Sequence, residues 1–165
     1  MVDIAMHEWR RALIEGIGRG AVASGLSTLA LIALAHRQTG HPAAATNATS
    51  QWIWGEPALR ADAPSWRHTA PGYLIHHAAS VFWAVLHARA RRSVPLRDTV
   101  VPAWADGAAV AAVACFADYV LTPRRLRPGF EHRLSRGALL VVYAAFGLGI
   151  ALALPKTHAR PKRRR

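Results

Sequence analysis

Residues 136 to 154 read RGALLVVYAAFGLGIALAL, nineteen positions with no charge after Arg136. A helix rises 1.5 Å per residue and the hydrocarbon core of a bilayer is about 30 Å thick, so this stretch matches one crossing. A soluble amphipathic helix would carry a polar stripe, and this segment has none. Three more segments have the same reach: 16 to 36, 72 to 92, and 101 to 121. The first is charged only at Arg19, close enough to its start for the side chain to reach an interface. The third contains Asp106 and Asp118, both toward its ends.

Proline placement supports these limits independently of hydropathy. Of ten prolines only Pro102 falls inside a proposed span, in its first turn, where a missing N–H costs nothing. Pro71 and Pro95 bracket the second span, while Pro123 and Pro155 follow the third and fourth. The expected fold is therefore all-α: a membrane-embedded bundle of four transmembrane helices over 16–154, with a soluble Ala-rich bundle as its rival. Composition agrees, with 52% apolar residues, 18% charged residues and 34 alanines among 165. Cys115 is the one cysteine, which excludes an intrachain disulfide and a multi-cysteine zinc site.

Residues 2 to 15 alternate apolar and charged positions at helical spacing, so 1–15 is expected to form an amphipathic interfacial helix running into the first span. A rival reading takes the start of the chain as a signal peptide ending at Ala33-x-Ala35. The longest connection, 37 to 71, carries Trp52, Trp54 and Trp66 and is expected to fold back onto the headgroup layer. Asn47-Ala48-Thr49 matches the glycosylation pattern, a weak signal from common residue types.

Lys and Arg number twelve on the side of the N-terminus and eight on the other, Arg19 aside. The excess places both termini in the cytoplasm of a multi-pass inner-membrane protein, although five arginines between 122 and 136 pull the other way. The tail 155–165, PKTHARPKRRR, fixes topology and holds anionic lipid headgroups, and nucleic acid is not expected as a partner.

Polar residues inside lipid are costly, so each is a candidate for function or for packing. His76, Ser80, Trp83 and His87 form one helical stripe on the second span. With a hairpin turn near Leu96 or Arg97, residues whose numbers add to about 194 share a depth in the second and third spans. Two layers result: an inner one of Arg19, His87 and Asp106, and an outer one of His76 or His77, Asp118 and Tyr119. Asp118 shares a face with Gly107, Ala111 and Ala114, where helices approach closely, and a histidine of the second span or Arg124 or Arg125 is its expected partner. These layers read as polar glue between helices or as a proton path. Haem would need His36 to pair with His76 or His77, since His76 and His87 are about 16 Å apart along the axis. No metal or other cofactor is expected, and no nucleophile and base are assembled, so an enzyme is not favoured. Gly16-x-x-x-Gly20 and Ala21-x-x-x-Gly25 allow close helix packing.

HHAASVFWAVLHARARR at 76–92 and DYVLTPRRLRPGFEHRLSRG at 118–137, with the helix layout, resemble small bacterial inner-membrane proteins of the YagU-like group. The resemblance covers 72 to 150 and implies a bacterial inner-membrane location without an activity. The expected role is that of a structural or interaction protein, alone or as a homo-oligomer. A small oligomeric transporter using Asp118 is the alternative.

Overall fold

Gly16 and Gly20 decide how the first two long helices meet. A Cβ at Gly16 would lie 2.6 Å from the Val85 Cα, and one at Gly20 would lie 2.5 Å from the Val81 Cα. The two backbones touch where neither glycine has a side chain, the close approach that stabilises helix pairs through dispersion contacts. The computed structural model in which this contact occurs describes residues 2–93 and 102–153. The hairpin turn at Leu96 or Arg97 and the tail 155–165 lie outside the described residues.

The described chain is all-helical, without a strand. Four long helices, α1 (Val2–Thr39), α5 (Thr69–Ser93), α6 (Ala103–Phe116) and α7 (Arg136–Leu152), are joined by shorter ones, α2 (Ala44–Thr49), α3 (Gln51–Trp54) and α4 (Glu56–Leu59). A π-helical turn, Ala117–Leu121, extends α6, and 3-10 turns occupy Arg124–Leu126 and Phe130–His132. Two helical stretches, Met6–Thr39 and Ala103–Leu121, are long and apolar enough to cross a membrane. α7 is apolar but shorter. α5 carries three histidines and three arginines within its length.

The long helices stand in the order α5, α1, α7, α6, each packed mainly on its neighbour. Small residues set both remaining seams. Gly149 of α7 meets the backbone of Ala23, and Gly107 of α6 meets the carbonyl of Gly147. This order corrects the expected α5–α6 hairpin packing: α5 presents Phe82 and Trp83 where α1 and α7 present glycine and alanine, so α6 approaches α7 instead.

α1 runs unbroken for 38 residues, about 57 Å, and its amphipathic start runs directly into the apolar stretch along α5. Ala12 is fully buried, Arg89 lies over the Trp9 ring at 5.6 Å, and Glu15 pairs with Arg92. The Ala33-x-Ala35 site of the signal-peptide reading falls within this helix, with Ala35 fully buried. Cleavage there would remove the element on which both α5 and α7 pack.

The connection 40–68 forms a cap over one end of the bundle. Every residue of α2 is buried, and Asn47 is its centre. The Asn47 amide donates to the carbonyls of Ala61 and Ala63, both at 2.9 Å, and its Oδ1 accepts from Thr69 at 2.6 Å. The glycosylation-like triplet is thus a buried hub with its amide fully engaged. Trp52 and Trp54 donate to the carbonyls of Arg127 and Arg67, so these two tryptophans brace the cap, while Trp66 is 92% exposed. Gly129, at φ +92°, brings the second loop against the Ala48 carbonyl, a conformation and proximity suited to glycine. Ser135 caps α7 by accepting from Ala138 N–H at 3.3 Å and joins it to Gln38 at the end of α1.

The outward faces of the long helices stay apolar. Ile14, Ile17, Leu29, Phe116, Val120 and Leu140 are each more than half exposed. Only 33% and 22% of the most apolar windows of α1 and α6 are buried within the protein.

Candidate functional site

At the end of the bundle away from the cap, charged groups close on one another. His87 Nε2 lies 3.4 Å from Asp106 Oδ2, and Arg91 forms an ion pair with the same carboxylate oxygen. Arg19, 9% exposed, pairs with Glu15 at 3.2 Å, and Glu15 also holds Arg92. The inner layer expected from sequence thus divides into two ion-paired groups, with Arg19 bound to Glu15 and Asp106 bound across from α6 to α5. Burying such charges is tolerated because each is paired. Glu15, Arg91 and Arg92 were missed as members. Arg91 and Arg92 in the last turn of α5, and Glu15 four residues before Arg19, were the available signal.

Toward the cap α5 and α6 separate around a cavity of about 620 Å³, within the size range of small-molecule sites. Its walls are apolar, with Phe82 and Trp83 from α5, Ala114 and Leu121 from α6, and Phe146 from α7. The cap contributes Trp52, and exposed Phe82 and Leu121 stand at its margin.

A few polar groups converge on this space: His76, Ser80, Ser27, Asp118 and Tyr143. His76 Nε2 and Ser27 Oγ are 2.8 Å apart, and Ser27 Oγ also lies 2.8 Å from the Ala23 carbonyl. If the hydroxyl proton goes to that carbonyl, Nε2–H of the histidine donates to Ser27. Ser80 donates to the His76 carbonyl at 2.9 Å, as helix serines do, and leaves the ring unhindered.

Asp118 sits in the π-helical turn, a distortion that often re-aims side chains at functional positions. Its Oδ2 accepts from the Tyr143 hydroxyl at 2.6 Å. The partner is therefore a tyrosine of α7, whereas a histidine of α5, Arg124 or Arg125 was expected. The order of the helices explains the difference, since the small face of α6 that bears Asp118 packs on α7. Arg125 instead donates to the carbonyls of Gln51 and Trp52, and Arg127 to those of Tyr119 and Thr122. A lone hydroxyl in an otherwise apolar span was the signal that Tyr143 offered.

Tyr119 stacks edge-on against Tyr143, with ring centroids 6.1 Å apart, and its buried hydroxyl has no hydrogen-bond partner among the described residues. Glu131 Oε2 is likewise buried without a hydrogen-bond partner among the described residues, while its Oε1 lies 3.9 Å from His132 Nε2. His77 packs on Tyr73 at 5.7 Å and does not line the cavity.

His36, exposed, lies nine residues or about 14 Å beyond Ser27 on α1, the residue whose hydroxyl meets His76. No group of three or more potential metal ligands occurs among the described residues.

No family model, characterised protein or solved structure matches this chain. The site is therefore read from its own chemistry.

Proposed function

We propose that this chain is a multi-pass membrane protein that binds a lipid-phase molecule in the groove between α5 and α6. In this reading α1, α5, α6 and α7 all cross the bilayer, both termini are cytoplasmic, and the cap lies on the outer side of a bacterial inner membrane. The resemblance to YagU-like proteins points to the same location. Broad apolar faces on α1, α6 and α7 support immersion, because soluble monomers rarely expose apolar patches beyond a few hundred Å².

The observation that carries the binding reading is the cavity itself, about 620 Å³ with apolar walls and a small polar group at one end. It gives the interaction role expected from sequence a definite form, with a small amphiphile as partner. Binding is favoured over passage across the membrane because the cavity lining includes none of the inner-layer groups, Arg19, His87 and Asp106, which are paired among themselves and their neighbours.

A lipid analogue with a photoreactive group on its acyl chain, added to the protein in nanodiscs, tests the reading. Crosslinks should concentrate at 79–83 and 114–121 and fall on filling the groove with Ala79→Trp. Labelling spread evenly along the outward face of α1 and unchanged by Ala79→Trp would defeat it. Reporter fusions after Arg67 and Arg165 test topology separately, and a cytoplasmic signal from the first would refute the proposed orientation.

A further inference from the structure

We infer that the groove selects amphiphiles whose headgroup donates hydrogen bonds, an amine or an alcohol, and rejects phosphate headgroups. This rests on the groove being a binding site and adds which chemistry it accepts.

The sign of the polar end carries the argument. Asp118 lines the cavity, and a carboxylate has about four acceptor sites, so the single bond from Tyr143 leaves capacity for a donor arriving from the groove. Glu131, in the 3-10 turn Phe130–His132, has one buried oxygen unpartnered among the described residues and the other 3.9 Å from His132 Nε2.

Three of the neighbouring cations are already engaged elsewhere. Arg125 donates from two nitrogens to the carbonyls of Gln51 and Trp52, and Arg127 from two to those of Tyr119 and Thr122. Arg133 pairs with Asp62 and the Leu59 carbonyl. A phosphate entering beside Asp118 would meet like charge in an apolar cavity where screening is weak. A donor head meets the opposite situation: an ammonium forms a charge-assisted bond to the carboxylate, and a hydroxyl forms one of the same direction. Across the groove, the hydrogen-bonded pair of His76 and Ser27 marks the second polar point a small head can reach. The apolar chain then lies between Phe82 and Leu121 at the margin, continuous with the surrounding lipid.

Brominated dodecylamine, dodecanol and dodecyl phosphate added to the protein in zwitterionic nanodiscs provide the test, with bromine quenching of groove tryptophan as readout. Trp52 and Trp83 line the cavity, and a variant with both changed to Phe supplies the background. Amine and alcohol should quench saturably at concentrations about tenfold below the phosphate. Asp118→Asn keeps an acceptor for Tyr143 and should reduce the amine-to-phosphate preference about tenfold while leaving the alcohol little changed. If that variant fails to fold, Glu131→Gln should lower the same preference about threefold. Equal saturable quenching by all three, lost in Ala79→Trp, would overturn the headgroup inference and leave the groove as a binding site. Preference for phosphate would overturn the inference outright. Absence of saturable quenching by any of the three would overturn both readings.

Discussion

The two ends of the α5–α6 interface are built from similar residue types and behave oppositely. Each brings a histidine of α5 and an aspartate of α6 to about the same depth. At the basal end His87 and Asp106 meet directly, with Arg91 completing the pairing. Toward the cap His76 and Asp118 turn to different helices, Ser27 on α1 and Tyr143 on α7, and leave a cavity between them. The comparison shows that a matched depth does not make a contact. What closes the basal end is a long cation on α5 that reaches across, and what opens the other is the bulk of Phe82 and Trp83.

Substitutions that remove one side of this contrast should separate the two ends. The largest effect is expected from Asp106→Ala, which leaves His87 and Arg91 without their shared anion. A loss of about 3 kcal/mol is expected, the low end for breaking a buried pair because Arg91 is 44% exposed. Denaturant unfolding in mixed micelles measures it, and a loss under about 1 kcal/mol would mean that the basal charges are bystanders to stability. Next comes a matched pair of insertions. Ala88→Leu, at a position 1% exposed beside His87, should cost about 2 kcal/mol through overpacking. Ala79→Leu, on the cavity wall, should change stability by less than about 0.5 kcal/mol because space is present. Similar costs at both sites would erase the distinction between a packed end and an open one.

Tyr143→Phe should cost about 1 to 2 kcal/mol, since it removes the hydrogen bond that Asp118 accepts. The same variant should weaken binding of an amine less than Asp118→Asn does, and titration of the two side by side would show whether the hydroxyl or the carboxylate addresses the ligand. The smallest effect is expected from Gln38→Ala, a loss of about 0.5 kcal/mol from an exposed tie between α1 and Ser135, visible as a small Tm shift.

The long helices were legible in sequence because hydropathy and proline placement act locally. The starts of the second to fourth expected spans lie within three residues of α5, α6 and α7. The pairing of His87 with Asp106 follows from a hairpin register that needs only rise per residue. What sequence concealed was lateral order. Depth says nothing about which helix stands beside which, and that depended on glycines at Gly16, Gly107 and Gly149 meeting particular backbones. Hence Tyr143 was missed as the partner of Asp118. The cap was hidden for a different reason: Asn47 is polar and lies in a loop-like composition, yet its three hydrogen bonds join carbonyls and a hydroxyl up to 22 residues away. Such a hub leaves no periodic trace.

The order α5, α1, α7, α6 carries a consequence for biogenesis. A ribosome releases α1 and α5 first, and these can pair at once through Gly16 and Gly20. α6 emerges next without its principal neighbour, because the seam that holds it is made with α7, the last helix synthesised. Until residue 152 has left the exit tunnel, α6, with Asp106 near its start and Asp118 just beyond its end, lacks the neighbour that covers it, and on the proposed membrane reading the insertion machinery or lipid shelters it. Truncation within α7 should therefore leave α6 without its seam and open to proteolysis, whereas the α1–α5 pair would survive it.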